Sequence, residues 1–334
     1  MSKFSKCAVI GAGLMGPQIA VALAFGAERI RIYDSDSAAL NNAMLIAQSY
    51  VAELAEHDLL DKSTTKNILR KIEPASDLKH AIRDAEFVIE AIYENVDAKR
   101  EVFGNLDSLS DPCTILASNT SSIPIRHMAK VCRRPDRVMG THFALPAHIL
   151  PLVEVIRHPN ISDECFNRTF DALVAINKVP IRVNVDTPGF VANRLQHSLT
   201  RQAIELVVQG VASPEDVDNA VRYGFGLRLT SMGPLAARDI SGLVNHAKVA
   251  EYLYPELDAK GNIALNLLKE YSARGDDGMS TGRGFFQWGD NTEAIRAYHY
   301  KLMINQTRRV INEGPLKTDI QIESTADSNM LEDI

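Results

Sequence analysis

The chain has 334 residues, 46% hydrophobic and 23% charged, which is long enough for two globular domains with ordinary cores. Its formal net charge of -6 argues against a nucleic-acid-binding protein, because such proteins typically carry a basic excess. The sequence lacks the run of about 18 apolar residues that a membrane span needs. Its polar start lacks a secretory apolar segment, so we expect no membrane partner and a cytoplasmic location.

The cysteines are widely spaced and form no C-x-x-C pair. This spacing favours free, buried or half-buried thiols in a reducing compartment over a disulfide framework or a zinc site. We therefore expect no metal. The four positions are Cys7, Cys113, Cys132 and Cys165.

Short apolar runs alternate with helical patterns through the first half of the chain, which indicates a parallel sheet with covering helices. The predicted strands are 7–10, 29–33, 86–90, 114–118, 137–142 and 152–156. The predicted helices are 14–25, 37–59, 63–71 and 95–106.

The loop Gly11-Ala-Gly-Leu-Met-Gly16 follows the first predicted strand and opens the first predicted helix. In that context a G-x-G-x-x-G match indicates a dinucleotide-binding loop. The first glycine permits a tight turn, the second lets the backbone approach a pyrophosphate, and the third lets the helix pack on the sheet. We predict cofactor contacts from Gly11, Gly13, Leu14, Met15 and Gly16. The alternative is a strand–turn–helix without a ligand.

Asp34 ends the second predicted strand, 18 residues after Gly16. The acid that binds the ribose hydroxyls in such folds stands about 20 residues on. A carboxylate there repels the 2′-phosphate of NADP, and Ser35 and Asp36 follow it without an arginine. The predicted cofactor is therefore NAD.

The pattern changes after Asp186-Thr-Pro-Gly189 and is nearly all helical to about Arg309. We expect an α/β fold with a Rossmann-type, doubly wound sheet and an all-helical C-terminal domain. The predicted divisions are an NAD-binding domain at 1–187, a helical substrate and dimerisation domain at 188–317, and a flexible acidic tail at 318–334.

His142 ends one predicted strand and Glu154 lies inside the next. A charge in a buried strand is costly without a partner, and adjacent strands could bring the two side chains together. An imidazole held by a carboxylate can accept the proton of an alcohol as hydride leaves. A structural histidine at 142 remains an alternative, and His148 in the following loop is a rival base.

Six motifs resemble the 3-hydroxyacyl-CoA dehydrogenase family in order and spacing, over about residues 6 to 290. They are Gly11-Ala-Gly-Leu-Met-Gly16, Glu90-Ala-Ile-Tyr-Glu94, Ala117-Ser-Asn-Thr-Ser-Ser122, Gly140-Thr-His-Phe143, Pro151-Leu-Val-Glu-Val-Ile156 and Asp186-Thr-Pro-Gly-Phe-Val-Ala-Asn-Arg-Leu195. The resemblance implies an NAD-dependent dehydrogenase of secondary alcohols that pairs as a homodimer through its helical domain.

The resemblance also implies roles for individual residues. His142 matches the catalytic histidine and Glu154 its carboxylate partner. Ser121 matches the serine that contacts the substrate oxygen, and Asn193 matches the active-site asparagine at the domain boundary. Glu94 and Lys99 match positions near the ribose and nicotinamide side of the cofactor. The alternatives are a helix cap for Ser121, a packing amide for Asn193, and solvated surface charges for Glu94 and Lys99.

Two departures from the acyl-CoA enzymes favour a small substrate with a free carboxylate. Leu145 stands where those enzymes have an asparagine, and the segment 224–234 is longer than their glycine turn. The longer segment resembles relatives of the carnitine dehydrogenase, gulonate 3-dehydrogenase (lambda-crystallin) and vitamin B6 pyridine-ring dehydrogenase types, and His148 also resembles the last of these.

Arg228 lies in that longer segment, and its guanidinium can bind a carboxylate through two parallel hydrogen bonds. The alternative is a surface or dimer-interface residue, and Arg222 and Arg238 are weaker candidates. Two alternative functions remain: a short-chain 3-hydroxyacyl-CoA (3-hydroxybutyryl-CoA) dehydrogenase and a non-catalytic NAD-binding structural protein.

Overall fold

The computed structural model describes residues 3–57, 59–230, 233–235, 237, 243–257, 263–276, 281–284, 287–288 and 291–313. The chain divides into two compact units, Met1–Arg201 with Tyr298–Thr307, and Gln202–Ala297 with Arg308–Ile334. The predicted domain limits at 187 and 317 stay a prediction. The tail predicted to be flexible lies outside the described residues.

The first unit is built on an eight-stranded sheet. Its strands are β1 (Lys6–Ile10), β2 (Arg29–Tyr33), β3 (Ile72–Pro74), β4 (Phe87–Glu90), β5 (Ile115–Ser118), β6 (Val138–Phe143), β7 (Leu152–Ile156) and β8 (Val179–Val183). Their order is β3-β2-β1-β4-β5-β6-β7-β8. Neighbouring strands are parallel except β6 and β7, which are antiparallel.

Helices cover both faces of this sheet. They are α1 (Met15–Leu23), α2 (Ser37–Glu56), α3 (Lys62–Arg70), α4 (Leu78–Ile82), α5 (Val96–Leu109), α6 (Arg126–Ala129) and α7 (Asp163–Val174). The next helix in the chain is α8 (Ala192–Val208). Helix α8 belongs to the first unit as far as Arg201. This arrangement confirms the predicted Rossmann-type, doubly wound fold.

Successive residues of β1 point to opposite sides of the sheet, so the unit has two apolar clusters. Val9 joins a cluster with Ile19 of α1 and Phe166 of α7. Its neighbour Ala8 joins the other cluster, with Phe103 of α5. A strand buried on both faces reads as a continuous apolar run, which is why it was recognisable in the sequence.

The second unit is described as helices, in agreement with the predicted helical C-terminal part. They are α9 (Pro214–Ala220), α10 (Gly226–Leu229), α11 (Leu243–Leu257), α12 (Ile263–Arg274) and α13 (Thr292–Glu313), of which Tyr298–Thr307 belongs to the first unit. Val221–Phe225 forms a π-helical turn with a kink at Gly224. In the described part of the chain, no helix is long and apolar enough to cross a membrane.

Two details differ from the sequence predictions. Helix α2 ends at Glu56 rather than Leu59, because the N–H groups of Leu59 and Leu60 fold back onto the carbonyl oxygen of Leu54 at 2.8 and 3.1 Å. The thiol of Cys113 is exposed in the turn before β5, whereas the other three cysteines are buried or half-buried as expected. The pattern also left β3, β8, α4, α6 and α7 unidentified.

Candidate active site

The antiparallel pairing of β6 and β7 brings the two predicted dyad residues face to face. His142 and Glu154 are direct cross-strand partners. The Nδ1 atom of His142 lies 2.7 Å from Oε2 of Glu154. The side chains are 11% and 1% exposed, so the contact is largely shielded from water. The sequence predicted this proximity from adjacent strands, and the register accounts for it.

Glu154 is held as an anion. Its Oε1 accepts hydrogen bonds from the backbone N–H groups of Val191 and Ala192, at 2.8 and 3.0 Å. Burial alone raises the pKa of the Glu154 carboxyl, but the hydrogen bonds from His142, Ala192 and Val191 outweigh burial and lower it. An ionised carboxylate only accepts, so Nδ1 of His142 carries the proton. In the neutral imidazole Nε2 then has the free lone pair.

Ser121 and Asn193 lie next to each other. Ser121 follows β5, and the Asn193 side-chain amide donates to its carbonyl oxygen at 3.2 Å. The Ser121 side chain is exposed, and its hydroxyl makes no hydrogen bond with any described residue. Asn193 stands in the first turn of α8, directly after the two N–H groups that bind Glu154. We call the segment 119–125, which joins β5 to α6 and carries Ser121, the serine loop. The start of α8 therefore connects the serine loop with the His142–Glu154 pair.

Glu94 organises the loop that carries Ser121. Its Oε1 accepts from the backbone N–H groups of Ser121 and Ser122, at 3.2 and 3.1 Å, and from the hydroxyls of Ser122 and Thr120. Burial raises the pKa of the Glu94 carboxyl. This effect is outweighed by the hydrogen bond from the Thr120 hydroxyl, the positive charge of Lys99 and the hydrogen bonds from Ser122, so the pKa is lowered overall. Glu94 therefore holds the serine loop in place through these hydrogen bonds.

Lys99 is buried, not a solvated surface charge. Its side chain is 1% exposed, and Nζ lies 2.6 Å from Oε1 of Glu90 and 3.4 Å from Oε2 of Glu94. Glu90 is fully buried and also accepts from the hydroxyl of Ser118 at 2.6 Å. The sequence pattern indicated no separate role for Glu90. Its signal was the same as for Glu154, a carboxylate in an apolar strand.

The glycine loop has the space that a dinucleotide needs. At Gly11 (φ 113°) a Cβ atom would lie 2.5 Å from the carbonyl oxygen of Ala91, and at Gly16 it would collide with the carbonyl of Gly11. At Gly13 nothing lies within 4 Å of an added Cβ, which leaves open space beside the backbone. Helix α1 has no side-chain cap, so its first N–H groups are available to phosphate oxygens.

Asp34 follows β2 at the edge of this loop. Its Oδ2 accepts from the N–H of Ala12 at 2.7 Å and its Oδ1 from the N–H of Asp36 at 2.9 Å. The N–H of Gly11 also donates to the carbonyl oxygen of Tyr33 at 2.8 Å. These contacts fix the carboxylate against the glycine loop. The residues thus fit the pyrophosphate and ribose of a dinucleotide.

The loop between β6 and β7 is held in place by several hydrogen bonds. The N–H of Ala147 donates to Oε1 of Gln18 at 2.7 Å, and Lys178 donates to the carbonyl oxygens of Ala147 and Leu150 at 2.6 and 2.9 Å. Burial lowers the pKa of Lys178 to about 8. Leu145, in contrast, is 54% exposed in the same loop.

His148 has a different environment from His142. Its side chain is fully buried, Nε2 lies 3.0 Å from Oε2 of Glu53, and its ring stacks on Tyr50 with centroids 4.1 Å apart. These contacts anchor the loop to α2. A histidine buried in this way is poorly placed to receive a proton from a substrate.

The arginines singled out in the sequence lie in the second unit. Arg228 is exposed on α10, and Arg222 is exposed with its guanidinium 5.4 Å from the ring centroid of Tyr223. Arg238 lies outside the described residues. Among the described residues no group of three or more His, Cys, Asp or Glu side chains could hold a metal ion.

A doubly wound sheet with an open glycine loop and a carboxylate after β2 defines a dinucleotide-binding protein. The family model "3-hydroxyacyl-CoA dehydrogenase, NAD binding domain" matches residues 6–187. The model for the family's C-terminal domain matches residues 189–288. The chain therefore belongs to the 3-hydroxyacyl-CoA dehydrogenase family. Membership confirms the predicted resemblance, the predicted NAD-dependent dehydrogenase and the predicted cofactor, NAD.

Curated relatives of two kinds are similar over most of the chain. A 5-formyl-3-hydroxy-2-methylpyridine 4-carboxylate 5-dehydrogenase from Mesorhizobium japonicum is 33% identical over 305 residues, covering 91% of this chain and 97% of the relative. A probable 3-hydroxybutyryl-CoA dehydrogenase from Bacillus subtilis is 37% identical over 284 residues, covering 85% and 97%.

Solved structures give the same two kinds. A 5-formyl-3-hydroxy-2-methylpyridine 4-carboxylic acid 5-dehydrogenase, an NAD⁺-dependent dismutase, has a TM-score of 0.83 at 30% identity, covering 93% of this chain and 100% of that one. An (S)-3-hydroxybutyryl-CoA dehydrogenase from Ralstonia eutropha has a TM-score of 0.69 at 31% identity, covering 86% and 100%.

Proposed function

We propose that this NAD-dependent dehydrogenase oxidises the secondary alcohol of a small hydroxy acid with His142 as general base. The observation that carries this proposal is the contact between Nδ1 of His142 and Oε2 of Glu154, 2.7 Å long. A positioned imidazole with a free Nε2 lone pair is the side chain best suited to accept an alcohol proton near neutral pH.

In this mechanism Glu154 acts on His142 both before and after the proton moves. Its carboxylate fixes the imidazole tautomer and stabilises the imidazolium that forms when Nε2 of His142 takes the hydroxyl proton. Ser121 and Asn193 position the reacting oxygen, Ser121 through its exposed hydroxyl. Bound NAD supplies a hydride acceptor at C4 of its nicotinamide ring. In the reverse direction the imidazolium of His142 returns the proton to the oxygen.

The cofactor would be held by the glycine loop. Backbone N–H groups of Gly13, Leu14, Met15 and Gly16 would face the pyrophosphate, where a side chain at the open position of Gly13 would obstruct it. Gly11, whose own N–H donates to the carbonyl oxygen of Tyr33, would contribute through the tight turn that brings the backbone close to the cofactor.

The remaining cofactor contacts come from acidic residues and one lysine. The carboxylate of Asp34 binds the ribose hydroxyls and disfavours NADP. Glu94 and Lys99 are proposed to face the ribose and nicotinamide side of the cofactor. Lys99 would do so from within its ion pair with Glu90, which favours an electrostatic role over a direct hydrogen bond.

A small substrate with its own carboxylate is favoured by three observations. The relative that acts on a pyridine carboxylate aligns over 91% of this chain, and the corresponding structure has the higher of the two TM-scores, 0.83 against 0.69. Leu145 replaces a polar amide beside His142 and is exposed. Arg228 is also exposed, and so is available to bind a carboxylate.

A second candidate is the dehydrogenation of a short 3-hydroxyacyl-CoA. The higher identity, 37%, is to a probable 3-hydroxybutyryl-CoA dehydrogenase. The two candidates are separated by following NADH formation with a panel of small hydroxy-carboxylates beside 3-hydroxybutyryl-CoA. Turnover of a free hydroxy acid supports the first proposal. Efficient turnover of 3-hydroxybutyryl-CoA alone would replace it with the second.

We further propose that the chain is a cytoplasmic homodimer paired through its helical domain. Large apolar side chains of the second unit are exposed, among them Leu227 at 59%, Leu235 at 81% and Tyr252 at 84%. Apolar surface of this kind is typical of a subunit interface. Light scattering at micromolar concentration should give twice the mass of the chain, and a monomer would contradict the proposal.

A further inference from the structure

The turn before α8 contains an unusual backbone conformation. Three non-glycine residues of the described chain have positive φ angles: Asp84 at 57°, Asn177 at 61° and Phe190 at 47°. Asp and Asn tolerate this left-handed region, because their short polar side chains can bond to the local backbone. A bulky aromatic residue does not, so the surroundings of Phe190 must hold it there. Conformations of this kind concentrate at functional sites.

The conformation of Phe190 directs two hydrogen-bond donors. Its N–H donates to the carbonyl oxygen of Thr187 at 3.1 Å, which closes a turn through Gly189 at φ 74°. The next two N–H groups, of Val191 and Ala192, then both point at Oε1 of Glu154. A right-handed conformation at 190 would turn both donors away from that oxygen.

The side chain of Phe190 reaches the other member of the pair. It is 1% exposed, and its ring centroid lies 5.9 Å from that of His142, with the planes tilted by 50°. Tilted aromatic rings at this separation attract each other. One residue thus contacts the imidazole through its ring and orients the carboxylate through its backbone.

We propose that Phe190 is a positioning residue for the His142–Glu154 pair: its left-handed backbone holds the Glu154 carboxylate and its ring holds the His142 imidazole. The proposal rests on the proposed role of His142 as base. Phe190 itself touches neither proton nor hydride. It acts by keeping the hydrogen bond between Glu154 and Nδ1 of His142 short.

The test compares Phe190→Leu with Phe103→Leu, the same change at a fully buried phenylalanine of the same apolar cluster, on α5. The first readout is the downfield NMR resonance of the His142 Nδ1–H in the protein saturated with NAD, which needs no substrate. The second is kcat and KM with 3-hydroxybutyrate and 3-hydroxybutyryl-CoA as the assayed alcohols. Thermal melting reports the loss of stability in both variants.

We expect Phe190→Leu to move or broaden the His142 resonance. We also expect it to lower kcat by about 10- to 100-fold, since misplacing a reacting group by about 1 Å can cost about 10²-fold. KM for NAD should not change. Phe103→Leu should lower the melting temperature but leave both the resonance and kcat near wild type.

Phe190→Gly and Phe190→Ala separate the backbone from the ring. Both lose the ring, but glycine adopts the left-handed conformation without strain. Phe190→Gly should therefore retain the resonance better than Phe190→Ala.

An unmoved resonance with wild-type kcat in Phe190→Leu would overturn the proposal, as would equal losses of kcat in both leucine variants. If instead His142→Ala keeps full turnover, the proposed function fails. If His142→Ala is inactive while Phe190→Leu is fully active, only the positioning role fails.

Discussion

The side-chain amide of Asn193 donates to the backbone carbonyl oxygen of Ser121 across 3.2 Å, joining residues that are 72 positions apart in the chain. Asn193 stands one residue after the pair of N–H groups that bind Glu154. The first turn of α8 is therefore attached both to the serine loop and, through Glu154, to His142. This attachment explains how residues from four separate segments, the loop after β5, β6, β7 and α8, are brought together in the first unit.

The choice of cofactor can be tested at Asp34. The wild-type enzyme should prefer NAD over NADP by on the order of 100-fold, because placing like charges together costs several kcal/mol. Asp34→Ser combined with Ser35→Arg should shift the preference towards NADP. The measurement is kcat/KM for each cofactor, with Ser35→Arg alone as the control that keeps the carboxylate. Equal efficiency of the wild-type enzyme with both cofactors would contradict the assignment.

Arg228 is expected to bind the substrate carboxylate. Arg228→Met should raise KM for a free hydroxy acid by roughly 10- to 100-fold, the range expected for losing a hydrogen bond to a charged group, and leave NAD affinity unchanged. Arg228→Lys should restore only part of the loss, because an ammonium cannot reproduce the planar fork.

The matched control for Arg228 is Arg274→Met, which removes another exposed arginine of the same unit. Steady-state kinetics at saturating NAD provide the comparison. An unchanged KM in Arg228→Met, or the same rise in both methionine variants, would remove Arg228 from the substrate site.

Lys178 gives the protein a measurable pH dependence of stability. Burial lowers its pKa from 10.5 to about 8, so between these values the folded protein binds fewer protons than the unfolded chain. The cost of burying the charged amine is full below pH 8 and is relieved as the pH rises through this window. Relative to Lys178→Met, the free energy of unfolding of the wild type should rise by roughly 3 kcal/mol from pH 8 to 10.5.

Urea unfolding followed by circular dichroism at several pH values measures this difference directly. Because each pH compares the two proteins, groups that titrate elsewhere in the chain cancel. A difference that stays constant or falls with pH would show that Lys178 is not held in the low-dielectric environment that its contacts with Ala147 and Leu150 define.

Much of the fold and part of the site were predictable from the sequence because their signals are local. The glycine loop, Asp34 and the strand that carries Glu154 each combine a characteristic residue type with a short apolar run. The pairing of His142 with Glu154 needed only the assumption that neighbouring strands lie side by side. The family motifs then pointed to Ser121 and Asn193.

The rest depended on long-range contacts that leave no local pattern. Short elements such as β3 and α6 form because the sheet and its helices surround them, not because of their own propensity. The resemblance placed Glu94 near the cofactor, with a solvated surface charge as the alternative. Nothing in its sequence neighbourhood shows that it accepts hydrogen bonds from the backbone of residues 121 and 122. The left-handed backbone of Phe190 could not be predicted from the sequence either, because an aromatic residue gives no indication of a positive φ angle.

The proposed mechanism depends above all on His142 acting as the base. It is tested most directly by kcat of His142→Ala beside wild type, with NAD affinity from fluorescence titration and with His127→Ala, an exposed histidine of α6, as control. We expect His142→Ala to lower kcat by about 10²–10⁴, the usual contribution of a positioned acid–base group. NAD affinity should be retained, and Glu154→Gln should show a smaller loss. Full turnover in His142→Ala would show that His142 is not the base.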